Sequence, residues 1–282
     1  MNTCGSRALL FCLFCLLCLM VGPAAAEERK AFRVCADPNN LPFSHQNEQG
    51  FENRLAQLWA GELGLPVEYT WFPQRRGFIR NTLRSQDPAT GHYKCDVVMG
   101  IPPGAGPLST TKPYYRSTYA LVYAKGRGLD EIQSVKDLLA LDSEQKEKLR
   151  IGVFTPSPAT LWLTRYGLNG QMVGFPAMSG DPNSYPGEIV EKELVEGRID
   201  AAILWGPIAG YFAKKAVGVE LEVLPMRSEP GIRFDFPIAA GVRRGEGESK
   251  RELEDLIDRT SEQVTALLGD YNVPLVSGET EN

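Results

Sequence analysis

Apolar and polar positions along this chain follow two different periods, and the switches between them mark the elements. Residues 33–36 read as a short buried strand, and the Pro/Asn-rich stretch after it as a loop. Helical spacing begins at Phe51, Leu55, Leu58, Trp59 and Leu63 and stops near Gly64. Residues 67–72 alternate as a strand. Residues 75–84 are expected to form a short helix with Phe78, Ile79 and Leu83 on its apolar side, and residues 95–101 a buried strand that ends in a Gly/Pro loop. This β-α-β-α-β order predicts parallel strands joined by right-handed crossovers.

A β-rich crossing is expected at 118–123, and Ser134-Val135-Lys136-Asp137 has the form of a capping box. A second α/β series follows: strand 151–154, helix 158–166, strand 171–175, helix 187–196 stopped by Gly197, and strand 201–204. Residues 221–226 and 236–242 carry the chain back, 251–268 read as one terminal helix, and the tail 278–282 as loose. The expected fold class is therefore α/β, with two Rossmann-like lobes around a central cleft and crossing segments between them. The boundaries are 27–117 with 229–282 for lobe 1 and 118–228 for lobe 2.

The first 26 residues stand outside this pattern. Arg7 precedes the apolar run 8–21, Gly22-Pro23 breaks it, and Ala24-Ala25-Ala26 offers a small-residue cleavage site, so a cleavable export signal is expected. A membrane span needs about 20 apolar residues, more than this run supplies. Cys12, Cys15 and Cys18 follow Phe11, Phe14 and Leu17, which argues against a lipid anchor. Export removes four of the six cysteines and leaves Cys35 and Cys95, both expected near the beginnings of neighbouring strands. In an oxidising compartment such a pair favours one disulfide, and no Cys-x-x-Cys accompanies it as a redox motif would require. The formal net charge of -5 becomes more negative once Arg7 is lost, which disfavours nucleic acid as a partner.

Candidate chemistry gathers at the carboxyl ends of the predicted strands, where open α/β sheets bind ligands. Asn39, Asn40 and Phe43 either line the cleft, with Phe43 stacking on a ligand, or form a turn in which Phe43 packs inward. In the run Trp71-Phe72-Pro73-Gln74-Arg75-Arg76, either Arg75 or Arg76 is placed to clamp a carboxylate or phosphate. Arg80 and Arg84 read instead as a surface stripe paired with nearby acids. Gly100 permits close backbone approach or simply turns the chain. Arg116 reaches toward the cleft, beside Tyr114 and Tyr115 in hinge packing. Ser157 and Thr160 precede a helix, as an anion site or as an ordinary cap. Trp205 is a ligand platform or a wall. His45 and His92 lie in polar loops without metal-ligand company, no hydrolase or phosphate-binding motif occurs, and neither a catalytic residue nor a cofactor or metal is assigned.

Several of these runs occur in an order that resembles the type II periplasmic solute-binding proteins: Pro42-Phe43, Gly50-Phe51-Glu52, Thr111-Lys112-Pro113-Tyr114 and Gly197-Arg198-Ile199-Asp200-Ala201-Ala202. A narrower resemblance rests on Cys35-Ala36-Asp37-Pro38-Asn39-Asn40-Leu41-Pro42-Phe43-Ser44, on Trp71 through Leu83, and on Cys95-Asp96-Val97-Val98-Met99-Gly100. These are similar to the MoxJ/XoxJ-type proteins that accompany PQQ-dependent methanol dehydrogenases in the bacterial periplasm. The resemblance implies an accessory role in methanol oxidation, by contact with the dehydrogenase or by its maturation. The acidic surface would then dock on a basic dehydrogenase or cytochrome. The alternative is the substrate-binding protein of an ABC importer, meeting its permease and carrying a small organic solute. A dehydratase on the same scaffold is a third reading. Amino-acid receptors place an Arg before the first crossing and an acid after the Gly-Arg-x-Asp-Ala strand; here 107–111 carry no Arg and Trp205-Gly206 stand in place of the acid. A buried ammonium without a partner costs several kcal/mol, so an ordinary amino acid is not the expected ligand.

Overall fold

The computed structural model describes residues 29–277 apart from 180 and 182; the expected export signal and the tail 278–282 lie outside the described residues. Strand β1 (Phe32–Ala36) leads into two short paired strands, β2 (Asn39–Asn40) and β3 (Ser44–His45), and then helix α1 (Phe51–Glu62). Strand β4 (Val67–Trp71), the single helical turn α2 (Phe78–Asn81) and strand β5 (Val97–Ile101) complete the first series. As predicted, β1 pairs in parallel with both β4 and β5.

Alternation along these strands divides two cores. Phe32, Val34 and Ala36 of β1 and Val97 and Met99 of β5 meet Phe51, Leu55 and Trp59 of α1. Cys35, Val98 and Ile101 face the other way and carry Phe78 and Leu83. The Cys35–Cys95 disulfide joins that second face, with Cα atoms 5.4 Å apart. Cys35 stands fourth in β1, not at its beginning, and Cys95 two residues before β5.

Strand β6 (Leu108–Thr110) leads to the long crossing strand β7 (Tyr115–Ala124). Beyond it come a 3-10 turn (Val135–Leu139), helix α3 (Ser143–Lys148), strand β8 (Ile151–Thr155), helix α4 (Pro158–Arg165) and strand β9 (Met172–Pro176). A π-helical segment (Ile189–Leu194), strand β10 (Ala201–Trp205), helix α5 (Gly206–Lys215) and strand β11 (Leu221–Pro225) follow. The second crossing, β12 (Asp235–Arg243), returns to the first strands, and α6 (Gly247–Arg259) and α7 (Ser261–Asp270) pack there. The strands form one mixed sheet in the order β4-β1-β5-β12-β7-β10-β8-β9, with β6 beside β12 and β11 beside β7. Its two parallel sections meet where β7 and β12 run antiparallel, Arg116 opposite Pro237 and Thr118 opposite Asp235.

Four local expectations are corrected. The helix expected over 75–84 is one turn, because Gly77 enters it at φ +95° and Thr82 leaves it at φ −118°, ψ −91°. Arg76, Arg80 and Arg84 therefore share no regular helical stripe. The terminal helix breaks at Thr260, whose hydroxyl donates to the Leu256 carbonyl (2.7 Å) and accepts from Trp59 Nε1 (3.1 Å). The helix expected over 187–196 is confined to the π-helical segment. Helix α5 had no counterpart in the expected elements: its Gly206-Pro207 start reads as a turn, although proline is tolerated in a first helical turn. Gly210 of α5 lets the chain after α7 close on it, for a Cβ there would stand 1.9 Å from the Asn272 carbonyl oxygen.

One partly buried cation fastens the back of the first section. Arg243, at the end of β12, donates from Nη1 to the carbonyls of Leu83 (3.0 Å) and Cys95 (2.5 Å), from Nη2 to Asp96 (2.7 Å) and from Nε to Glu246 (2.5 Å). Its guanidinium lies 4.0 Å from the centre of the Tyr93 ring. Arg33 holds the same Asp96 through two bonds of 2.8 and 3.0 Å.

Candidate functional site

The carboxyl ends of β1, β4 and β5 present a polar cluster organised by Asp37. Its carboxylate accepts from the backbone N–H of Asn39 (2.8 Å) and of Gln74 (2.5 Å), so the loop after β1 and the loop after β4 are tied together. Asn40 completes the tie by donating Nδ2 to Gln74 Oε1 at 2.8 Å. Asn39 reaches across to the second section and donates to the Asn183 carbonyl at 3.3 Å. Trp71 stacks on Tyr69 with ring centres 4.5 Å apart, and Arg75 and Arg76 lie exposed in the turn before α2. Asp37 and Gln74 were not singled out from the sequence. Their signal was the Asp-x-Asn spacing of an Asx turn, which names a turn and not its distant partner.

Behind this rim stands Glu52, in the first turn of α1. Its carboxylate lies against Gly100, where a Cβ would come within 2.3 Å of Oε1, and Gly100 itself holds φ +71°. Gly100 is thus glycine for two reasons, conformation and space. Its N–H donates to the Tyr114 hydroxyl at 3.0 Å. Burial pushes the Glu52 carboxyl up to about 8. A helix N-terminus favours a carboxylate by about 1 kcal/mol, and here desolvation outweighs it. Burial likewise drives Tyr114 and Tyr115 well above the usual phenol range, with the charge of Glu52 adding to it.

Because Glu52 takes up a proton on folding, its contribution favours the fold most below pH 4.5, the ordinary value, and is lost as pH rises toward 8. Glu52→Gln is expected to flatten that loss. Discounted for the partial exposure of the side chain, the variant should be about 2 kcal/mol more stable than the parent at alkaline pH and equal to it in acid. Urea titrations at the two extremes check this, and an unchanged difference across the range would contradict it.

Where the crossings meet, Arg116 forms an ion pair with Asp235, and Ser228 donates to the same carboxylate. Burial raises the Asp235 carboxyl, and the bonds from Ser228 and Arg116 more than offset it, leaving it below the ordinary range. At alternate positions of the same crossings and at the end of β10, aromatic rings gather: Trp205 is 5.6 Å from Tyr119 and 6.0 Å from Phe236, and the Arg233 guanidinium lies 5.4 Å from the Phe236 centre. Asp235, Tyr119 and Phe236 went unnoticed in the sequence because isolated carboxylates and rings carry no spacing signal.

Phe43 and Trp205 each pack against the cores of both sections, and Leu41 against that of the second. Phe43 meets Phe51 edge-on at 5.4 Å. On the other side of the junction Tyr271 stacks on Tyr211 of α5 (5.7 Å) and meets Phe51 of α1 (5.8 Å). At the start of α4 the Thr160 hydroxyl donates to the Ser157 carbonyl at 2.6 Å, while the Ser157 hydroxyl is buried without a partner. The candidate residues thus form a polar rim, an aromatic junction and a helix start. Arg116, on the first crossing, is neutralised from within the chain.

Among the described residues, no three His, Cys, Asp or Glu side chains gather as a metal site, and no helix is long and apolar enough to cross a membrane. No protein-family model matches the chain. Protein MoxJ of Paracoccus denitrificans is 25% identical over 287 residues, which span 98% of this chain and 97% of that protein. The crystal structure of the periplasmic binding protein XoxJ from Methylobacterium extorquens AM1 is similar with a TM-score of 0.69 and 33% identity, covering 88% of this chain and 100% of that one. The crystal structure of MxaJ from Methlophaga aminisulfidivorans MPT gives a TM-score of 0.69 and 26% identity, covering 87% and 100%.

Proposed function

We propose, from the premise that this chain belongs to the MoxJ/XoxJ family of periplasmic binding proteins, that it is a non-catalytic accessory factor of a PQQ-dependent methanol dehydrogenase. It acts in the periplasm by protein contact or maturation, and the quinone and its metal belong to the partner. In this reading the described residues of 27–117 and 229–282 form one lobe and those of 118–228 the other, with β7 and β12 as the crossings. The observation that carries the proposal is the junction itself. Arg116 is already paired with Asp235, Trp205 ends strand β10 where an amino-acid receptor has its acid, and Phe43 and Trp205 bridge the two cores. A zwitterion entering here would find Arg116 already neutralised and no acid at the end of β10, and its ammonium would lose several kcal/mol of hydration.

Purified protein mixed with the dehydrogenase is expected to co-migrate with it and to change dye-linked methanol oxidation. Absence of both the complex and the change in activity would remove the proposal. In thermal-shift assays with the common L-amino acids at millimolar concentration, no stabilisation is expected. A receptor for another small solute is the second reading, and the partnerless Ser157 hydroxyl at the α4 start is what favours it. A saturable shift with an organic acid or alcohol, lost in Ser157→Ala, would establish that reading instead.

A further inference from the structure

The molecule is acidic overall, yet residues 69–86 contain no acid and four arginines, Arg75, Arg76, Arg80 and Arg84. Arg76, Arg80 and Arg84 are exposed, and among the described residues none of their three guanidinium groups has an ion pair or a hydrogen bond. This corrects the expectation that Arg80 and Arg84 pair with nearby acids. The closest acids in sequence lie at the two ends of the stretch: Glu68 is exposed on β4, and Asp87 caps the backbone of Ala89 and Thr90.

The segment is firmly seated. Phe78 and Leu83 are buried against Cys35, Cys95, Val98 and Ile101, Asn81 donates to the Gly77 carbonyl, and Thr82 donates to that of Phe78. The opposite face of the same strands is covered by α6, with five carboxylates against three cations. Charge is therefore segregated across the first section, acid on one side and unpaired arginine on the other. Unpaired cations gain nothing for folding, and an arginine fork matches carboxylates in pairs. Such a face fits a macromolecular partner with clustered acids.

We propose that Arg76, Arg80 and Arg84 form the docking surface for a carboxylate-rich face of the dehydrogenase, an inference that rests on the accessory reading above. An anionic membrane is the poorer match. None of the large exposed apolar side chains, Tyr93, Leu161, Met178, Val217 and Leu275, lies in the arginine stretch to enter a bilayer.

The test measures association of the full chain with the intact dehydrogenase for four proteins: wild type, R76E/R80E/R84E, R76K/R80K/R84K, and the opposite-face control E248K/D255K. At low salt the glutamate triple should associate at least about 10-fold more slowly, the lysine triple less than about 3-fold, and the control not more slowly than wild type. The contrast should shrink as salt rises. Equal association by wild type and a folded glutamate triple would overturn the docking surface and leave the accessory reading intact. No binding by wild type at any salt would overturn both. Arginine-dependent binding to phosphatidylserine vesicles, without the same dependence toward the dehydrogenase, would assign the surface to lipid instead. Should the glutamate triple fail to melt cooperatively, R76Q/R80Q/R84Q replaces it, with about a 5-fold loss as the expected result and no loss as the refuting one.

Discussion

Arg243→Met is expected to lower the unfolding free energy by about 2–3 kcal/mol, below the range seen when one partner of a fully buried ion pair is removed, because Asp96 and Glu246 stay partly exposed. Methionine fills a similar volume, so the loss is of bonds and not of packing. Four partners are released together: the Leu83 and Cys95 carbonyls, Asp96 and Glu246. Asp96 keeps Arg33, whereas Glu246, with one buried carboxylate oxygen already lacking a partner, keeps no cation of this cluster. Arg243→Lys should recover less than half the loss, since a lysine offers one point charge where the fork reaches four acceptors. Urea unfolding of the three proteins checks the order wild type, lysine, methionine. A methionine variant within about 0.5 kcal/mol of wild type would show that water replaces the bonds at no cost.

That fastener was invisible before the coordinates. Arg243 stands 147 residues from Asp96, in a run of polar residues that reads as a strand end. The elements it joins were legible for the opposite reason. β1, β5 and β10 are short apolar runs bounded by turn residues, and their burial follows from that pattern alone. Periodicity failed where a single residue overrides it: Gly77 shortens α2, Thr260 divides α6 from α7, and the Gly206-Pro207 pair hides the start of α5.

The candidate site shows the same division. Asn39 and Asn40, just beyond β1, and Gly100, next to the last residue of β5, could be placed from the sequence because strand ends are where a doubly wound sheet presents its groups. Glu52 and Asp235 could not, since only tertiary packing distinguishes a carboxylate buried against Gly100, or paired with Arg116, from the other acids of an acidic chain. The missing amino-acid-binding charges were legible as absences at two positions. What stands there instead, the internal Arg116–Asp235 pair and a separate cluster of Tyr119, Trp205 and Phe236, was not.

Removing the Cys35–Cys95 disulfide as the double alanine variant should cost about 4 kcal/mol in the chain-entropy account, for a loop of 60 residues. For a chain of this length that lowers the melting temperature by roughly 10 °C. The loss should not add to that of Arg243→Met. Cys95 is both a disulfide partner and, through its carbonyl, an acceptor for Arg243, so the two fasteners hold one strand end and the pair should couple by about 1 kcal/mol or more. The location also ties this chemistry to function. Both fasteners lie under Phe78 and Leu83, the two anchors of the arginine-bearing segment. Under conditions where the double alanine variant remains folded, its docking face is therefore expected to loosen first. Association with the dehydrogenase should weaken while the far core around Trp162 keeps its protection in hydrogen exchange. Uniform loss of protection in both regions would mean that the bridge stabilises the whole chain and positions no surface in particular.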